Sequence, residues 1–213
     1  MRRLIAGMRM SVDGRIEGPE GYADWEETWS DVFDLMPQVD ACLLGAGMYG
    51  GYEQYWTAIQ NAPGEPLPMT GRAPTPEEVD YAAFAARTPH YVLSSTLSAA
   101  RWPGTSFLRG LDGVAALKQE AGKDIYLVGG ARTTASLIDA GLVDELRLMV
   151  HPLIAGPGKS LFATTQRRRG LALRAVQALR TPKQVRASRV RFRFSRSDPA
   201  LAFAASSEAS FRS

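Results

Sequence analysis

The chain has 213 residues, 45% of them apolar and a formal charge of +3 at pH 7, which is enough for one substantial core and short for two. No apolar run is long enough to cross a bilayer or typical of a signal peptide, so we expect a cytoplasmic protein with no membrane partner. The single cysteine, Cys42, excludes an internal disulfide, and its apolar surroundings predict a buried, unreactive thiol.

Strands alternating with helices are predicted along the first 150 residues, which favours a mainly parallel sheet. The first predicted elements are an apolar strand from Leu4 into an Asp13-Gly14 turn, a helix Trp25–Met36 with Asp24 as its N-cap, and a strand Val39–Leu44. A short helix from Pro76, a strand Tyr91–Leu93 and an extended stretch through Leu108 follow. The last of these elements are a helix Leu111–Ala121, a strand Ile125–Val128, a helix Thr133–Asp139 and a strand Glu145–Val150. Residues 61–80 are rich in proline and glycine, which predicts a surface loop of the kind that often lies over a binding site. Trp56, before this loop, either packs beneath it or stacks on a ligand.

The C-terminal part contains two extended runs, Leu171–Leu179 and Val185–Phe194, which predict an antiparallel hairpin at one edge of the sheet. Residues 1–145 hold 11 basic and 20 acidic residues, whereas residues 146–213 hold 14 and 2. Arginines alternate with apolar residues in the second run, as in a half-buried strand with a solvated basic face. Nucleic-acid binding and contact with the acidic surface of a second subunit are the alternatives, and we expect a homodimer that does not bind nucleic acid.

Three predicted strands end at small or hydroxylated residues. The strand from Asp124 delivers Gly129-Gly130 to a helix N-terminus, where free N–H groups and the helix dipole favour a phosphate, although an ordinary strand-to-helix turn is the alternative. The strands that end at Gly45 and Ser94 follow the same pattern. Together they predict one ligand crevice at the carboxyl edge of the sheet.

These motifs, in this order, resemble the dihydrofolate reductase-like superfamily, and in particular the branch that includes the reductase domain of bacterial riboflavin biosynthesis. Four segments carry the resemblance: residues 11–16 (SVDGRI), 126–130 (YLVGG), 141–146 (GLVDEL) and 152–158 (PLIAGPG). The resemblance implies an α/β, dihydrofolate reductase-like fold, with a mostly parallel central sheet flanked by helices and a C-terminal antiparallel hairpin. One domain would span residues 1–197, followed by a tail over 198–213.

The resemblance also implies a dinucleotide lying across the strand ends. The nicotinamide would lie near Ala6, Ile16 and Gly18; the adenosine half near Gly45, Ala46, Gly47, Met48, Ser94, Ser95 and Thr96; and the pyrophosphate near Val128, Gly129, Gly130, Ala131, Arg132 and Thr133. The peptide between Gly129 and Gly130 is expected to be cis, as in the family's glycine pair.

The chain departs from its relatives at the turn after the second strand. Residues 45–49 read Gly-Ala-Gly-Met-Tyr where relatives commonly have Gly-Arg-Arg-Thr-Tyr, and residues 94–96 read Ser-Ser-Thr where relatives often have Ser-Arg-Thr. Arginine is the usual partner of a ribose 2′-phosphate, so the choice between NADPH and NADH is open. Arg101 and Arg132 are the bases that could take this role.

Hydride transfer requires positioning and a source of a proton or a polarising hydrogen bond. The candidate proton relays are Asp13, Asp24 and Glu27, with turn formation and N-capping as the structural alternatives for the first two and plain solvent exposure for the third. The two histidines, His90 and His151, form neither a metal-ligand cluster nor a Ser-His-Asp set, and no metal is predicted.

The expected function is therefore that of an NAD(P)H-dependent oxidoreductase, with NADPH as the first expectation. Its substrate would be a small planar heterocycle, pterin- or pyrimidine-like, or a related carbonyl or imine compound. The alternative is a non-catalytic nucleotide- or ligand-binding protein on the same fold. Riboflavin biosynthesis is a specific candidate, but the chain lacks the His-x-Glu and Pro-Cys-x-x-Cys motifs of the deaminase to which that reductase is often fused, so a stand-alone relative fits better.

Overall fold

An eight-stranded sheet forms the centre of the structure, a computed structural model that describes residues 1–26, 28–180 and 185–194. The strands are β1 (Leu4–Ser11), β2 (Val39–Gly45), β3 (His90–Leu93), β4 (Thr105–Leu108), β5 (Asp124–Gly129), β6 (Glu145–His151), β7 (Leu171–Arg180) and β8 (Val185–Phe194). Their order across the sheet is β4-β3-β2-β5-β1-β6-β8-β7. The first six are parallel, and β8 and β7 run antiparallel at one edge. The predicted fold class is thus confirmed.

Four helices cover the two faces of the sheet: α1 (Ala46–Asn61), α2 (Pro76–Arg87), α3 (Leu111–Gln119) and α4 (Ala131–Asp139). Helices α1 and α2 bury an aromatic cluster on one face, whereas α3 and α4 bury an aliphatic cluster on the other. Helix α2 begins where its sequence signals predict, because Thr75 and Glu78 form a reciprocal capping box around Pro76. Trp56 is 3% exposed and packs in the aromatic cluster, so it is a core residue.

The predicted helix after Asp24 is wrong, because the described residues between 25 and 36 form turns and irregular chain. The carboxylate of Asp31 accepts hydrogen bonds at 2.8 Å from the backbone N–H groups of both Leu35 and Met36. A side chain that satisfies these donors gives the backbone an alternative to helical hydrogen bonds. Asp24 therefore caps no helix.

Helix α1 replaces what the sequence predicts as a turn at residues 45–49. Its first six residues include three glycines, which lower helix propensity by roughly 1 kcal/mol each relative to alanine. The helix forms because Tyr52, Trp56 and Ile59 are buried against the sheet on one side of it. Tertiary packing here outweighs local propensity.

The C-terminal hairpin has the predicted alternation, but its arginines meet carboxylates of the same chain. Phe192 packs toward the aliphatic cluster, while Arg189 on the opposite face pairs with Asp34. Arg191 Nε lies 3.8 Å from Glu145 Oε1. The charge division between the two parts of the chain is thus partly neutralised internally. The predicted tail and domain boundary fall outside the described residues, and no helix among those described could span a membrane.

Candidate functional site

Strands β1 and β5 separate before they reach the carboxyl edge of the sheet. Their parallel ladder ends at Ala6 and Leu127, although β1 remains paired with β6 as far as Ser11 and β5 remains paired with β2 at Gly129. The backbone of each strand beyond that point faces the other across a fork. Such a fork offers edge N–H and C=O groups to a planar ligand.

Two helices begin beside this fork and leave the sheet on opposite faces. Helix α1 follows β2 at Gly45 and packs on the aromatic side, whereas α4 follows β5 at Gly130 and packs on the aliphatic side. Strands β2 and β5 are neighbours, so this is a switch point at which helices diverge and a crevice opens. This topology agrees with the predicted position of the crevice at the carboxyl edge of the sheet.

The first turns of α1 and α4 are suited to an anion. No described side chain caps either helix, and neither has an acidic residue in its first turn, in contrast to α2 with its capping box. Arg132 is exposed in the first turn of α4. Free N–H groups, two helix dipoles and a nearby guanidinium all favour a phosphate.

Glycines allow these two helix starts to approach each other. A Cβ on Gly45 would overlap the hydroxyl oxygen of Thr133, and a Cβ on Gly130 would lie 4.0 Å from the Gly45 Cα. Gly129 and Gly130 have φ of +156° and +98°, a region that favours glycine. The peptide between them is trans, so the expectation of a cis bond is wrong.

The turn after β3 lies at the same edge of the sheet. The buried Ser94 hydroxyl accepts hydrogen bonds from the N–H groups of Thr96 and Leu97, at 3.2 and 2.9 Å, so it shapes the turn, while Ser95 and Thr96 are exposed. Arg109 donates from Nη1 to the carbonyls of Ser94 (3.0 Å) and Leu97 (2.7 Å). Sequence reasoning missed this arginine, although its position directly after β4 was the signal.

Asp13 connects the loops that follow β1 and β6. Its carboxylate accepts hydrogen bonds from the Ser11 hydroxyl (2.6 Å) and from the N–H groups of Ala155 (3.0 Å) and Gly156 (2.9 Å). The Ser11 hydrogen bond, followed by those from the backbone, lowers the pKa of Asp13 to about 2. This environment favours the turn-forming alternative over proton transfer.

A carboxylate that sequence reasoning passed over, Glu26, lies next to β1 and β6. Its Oε2 contacts the Arg9 guanidinium, and its Oε1 contacts Nε2 of His151. The second contact, which is an ion pair only when His151 is protonated, lacks hydrogen-bond alignment, and neither of its two atoms has a hydrogen-bond partner among the described residues. Burial raises the pKa of Glu26, but His151 and Arg9 outweigh it and hold the pKa below its ordinary value. No spacing rule distinguished Glu26 from its acidic neighbours.

The residues predicted around the nicotinamide lie near the fork to different extents. Ala6 is the last residue paired with β5, and its side chain is fully buried. Met8, further along β1, lies beside Gly129, with its sulfur 3.9 Å from where a Cβ on that glycine would be. Ile16 and Gly18 belong to the loop after β1 that hydrogen-bonds to residues 153–160.

Of the other two predicted catalytic residues, the structure describes only Asp24. Asp24 is exposed on the loop before Glu26, and Glu27 lies outside the described residues. Cys42 is fully buried, which raises the pKa of its thiol, and within the described chain no group of three possible metal ligands comes together. The burial of Cys42 agrees with the prediction of a buried, unreactive thiol.

The profile of the RibD C-terminal domain family matches residues 2–186 of this chain. The chain belongs to the RibD C-terminal domain family. Another sequence, the uncharacterized protein YyaP of Bacillus subtilis (strain 168), is 32% identical over 176 residues, covering 81% of this chain and 86% of that protein. The predicted family is thus confirmed.

Three solved structures that share this fold have low sequence identity to the chain. A Shewanella sp. PV-4 protein assigned to riboflavin biosynthesis has a TM-score of 0.64 at 16% identity, over 91% of this chain and 99% of that chain. The Thermotoga maritima diaminohydroxyphosphoribosylaminopyrimidine deaminase/5-amino-6-(5-phosphoribosylamino)uracil reductase has 0.59 at 15%, over 91% and 57%. Dihydrofolate reductase from Enterococcus faecalis, solved with NADP(H), has 0.56 at 15%, over 90% and 96%. At these identities the likeness shows a shared fold.

Proposed function

We propose that this RibD-like chain is an NAD(P)H-dependent oxidoreductase that transfers a hydride to a small planar heterocycle, pterin- or pyrimidine-like, or to a related carbonyl or imine. The observation that carries this proposal is the fork between β1 and β5, which opens beside the two uncapped helix N-termini of α1 and α4. A planar ring and a pyrophosphate need these two features within one crevice.

The residues present fit a dinucleotide. The first turn of α4, from Ala131 to Thr133, would hold one phosphate through backbone N–H groups, and the first turn of α1, from Ala46 to Met48, would hold another. The nicotinamide would enter the fork above Ala6, beside Met8 and Gly129. Once bound, the cofactor would supply the hydride.

Glu26 and His151 would act on the substrate side of the fork. Arg9, on the β1 arm of the fork, holds Glu26 and also donates to the carbonyl of Ser30 at 2.8 Å, which fixes the segment that carries Glu26. A carboxylate accepts hydrogen bonds from ring N–H groups, and Glu26 Oε1 and His151 Nε2 have no hydrogen-bond partner among the described residues, which leaves both for a substrate. We infer that this pair orients the heterocycle and relays a proton to it.

NADPH is our proposed cofactor in preference to NADH, because two arginines border the adenosine side. Arg109 brings a guanidinium to the turn that contains Ser95 and Thr96, and Arg132 is exposed in the first turn of α4. They would replace the arginine that residues 45–49 lack. Arg109→Gln should weaken NADPH binding about tenfold and leave NADH binding nearly unchanged, since only NADPH carries a 2′-phosphate.

The experiment that tests the proposal is a titration with NADPH and, separately, NADH, followed by quenching of the four native tryptophans. Saturable micromolar binding is expected, and Arg132→Met should weaken it. Arg168→Met is the matched control, because this arginine is also exposed but lies far along the chain from the crevice elements. Absence of binding to both nucleotides, or equal loss in both variants, would refute the assignment of the crevice.

Turnover requires a second measurement, because a non-catalytic nucleotide-binding protein is the alternative. The Gly-Ala-Gly-Met sequence of the first turn of α1 favours that alternative, since it removes side chains that relatives use. A dihydropterin and a 5-aminouracil riboside are suitable acceptors, with absorbance of the reduced nicotinamide as the readout. Cofactor binding without oxidation by any acceptor of this class would favour the binding protein.

We also propose a homodimer formed through the edge strand β7. Leu173 and Val176 are 57% and 62% exposed on this strand, next to the half-buried Phe192 of β8. An exposed apolar edge strand is a template for pairing with a second copy. Light scattering after gel filtration should give twice the chain mass, and Val176→Lys should give a folded monomer; a monomeric wild-type chain would contradict the proposal.

A further inference from the structure

A cavity of about 700 Å³ lies at the amino edge of the sheet, between the end of α3, the end of α4 and the C-terminal hairpin. Arg3, Lys118 and Arg193 are among its lining residues, and they sit at the start of β1, the end of α3 and the end of β8. Strand β1 is eight residues long, which places this cavity roughly 23 Å from the carboxyl edge. It is therefore separate from the crevice.

Basic side chains predominate in the lining, with five basic residues and one carboxylate, Asp144. Lys118 Nζ is paired with Asp144 at 2.6 Å, and Arg3 is held by Asp124, with its Nε 2.9 Å from that carboxylate. The other three basic residues are Arg169, Arg174 and Arg193, and among the described residues none of the three has a carboxylate within ion-pair distance. The cavity consequently has an excess of positive charge.

Arg169, which also lines this cavity, has a buried donor to which the described residues offer no acceptor. Its Nη2 donates to the carbonyl of Asp139 at the end of α4, whereas its Nε is buried and has no hydrogen-bond partner in the part of the chain that the structure describes. A buried donor without an acceptor costs about 1–3 kcal/mol, which an anionic oxygen would recover. The guanidinium is thus held by Asp139 while its buried Nε–H has no acceptor among the described residues.

Part of the lining is apolar. Ile138, Leu142, Val143 and Phe194 contribute to the same cavity, so a ligand would meet hydrocarbon and an aromatic ring beside the arginines. A cavity of this size, with an apolar wall and a few convergent charges, is typical of sites for small organic molecules. Inorganic phosphate alone would leave the apolar wall unused.

We propose that this cavity binds a small organic anion, a phosphate monoester with an apolar or aromatic group, at a site distinct from the crevice. Arg169 and Arg174 would bind the anionic oxygens, and Phe194 with Leu142 would contact the organic group. The proposal does not depend on hydride transfer at the carboxyl edge.

Calorimetric titration of the full chain with phenyl phosphate, in a buffer free of phosphate, tests this inference. Saturable binding is expected, and Arg174→Met, on the exposed strand β7, should weaken it about tenfold or more through loss of a charge-assisted hydrogen bond. Arg169→Met should have a similar effect. Arg132→Met, in the crevice, is the matched control and should leave phenyl phosphate binding at the cavity within about twofold of wild type.

NADPH titration of the same variants separates the two sites. The cavity variants should bind NADPH as the wild type does, which also shows that they are folded. Three results would overturn the inference: no saturable binding of phenyl phosphate, unchanged binding in both cavity variants, or loss of binding only in Arg132→Met. Inorganic phosphate binding as tightly as phenyl phosphate would overturn the organic part of it.

Discussion

Glu78 joins three segments of the chain, and Glu78→Gln tests whether its charge does so. The fully buried carboxylate accepts hydrogen bonds from Arg72 (2.7 and 2.6 Å), from the Tyr55 hydroxyl (2.9 Å), and from the N–H groups of Thr75 (2.8 Å) and Trp29 (3.1 Å). These contacts connect the loop over residues 61–80, helix α1 and the segment that follows Glu26. Glutamine keeps the shape but loses the charge and one acceptor oxygen.

The pKa of Glu78 gives the expected loss in the free energy of unfolding. Burial raises this pKa, but the Arg72 guanidinium and the backbone donors outweigh burial and lower it from 4.5 to about 2. A lowered carboxylate pKa contributes stability that is complete above the unfolded-state pKa and is lost as the pH falls toward the folded-state value. The shift corresponds to about 3 kcal/mol at pH 7, and to about 1.4 kcal/mol near pH ~3.

Urea unfolding at these two pH values measures the difference directly. Glu78→Gln should lower the free energy of unfolding by about 3 kcal/mol at neutral pH and by about half as much near pH ~3, with an unchanged m-value. Glu77→Gln, its exposed neighbour in the same helix turn, is the control and should change stability by about 0.5 kcal/mol at either pH. A loss for Glu78→Gln that does not depend on pH would refute the electrostatic account.

The crevice yields further predictions. Glu26→Gln should reduce the single-turnover rate of hydride transfer about 100-fold, measured with whichever acceptor proves active, because the proposed role of this carboxylate is on the substrate side. The Kd for NADPH should stay unchanged. Equal effects on the rate and on the Kd would mean that Glu26 only shapes the fold. Gly45→Ala should destabilise the protein by about 1–3 kcal/mol in thermal or urea unfolding, because the new Cβ overlaps the Thr133 hydroxyl. Gly47→Ala, whose Cβ would enter open space in the same helix turn, should stabilise by up to about 1 kcal/mol because alanine has the higher helix propensity. A loss in Gly47→Ala as large as in Gly45→Ala would show that the overlap with Thr133 is not the cause of the destabilisation.

The strand ends were predictable from the sequence because parallel strands bring their carboxyl ends to one edge. Gly45, Ser94 and Gly129 lie far apart in the chain, yet each ends a neighbouring strand of the same sheet. The segment that carries Glu26, on the proposed substrate side, was not predictable in this way. Apolar spacing between residues 25 and 36 fits a helix, but Arg9 on β1 and Asp31 satisfy the backbone polar groups of this segment instead. Such long-range contacts cannot be inferred from local periodicity.

Glycines at the start of α1 explain both why the sequence did not predict this helix and why α1 and α4 can begin close together. Glycine at position 45 lowers the local preference for a regular element, but it also lets Thr133 of α4 pack against the end of β2, which brings the two helix N-termini together. An arginine in the first turn of α1 would add charge there, whereas here the Met48 sulfur lies 3.0 Å from where a Cβ on Gly129 would be. Under the proposed function, neighbouring elements would recognise the adenosine phosphate. A cofactor preference that survives Arg109→Gln and Arg132→Met together would show that the backbone alone selects the nucleotide.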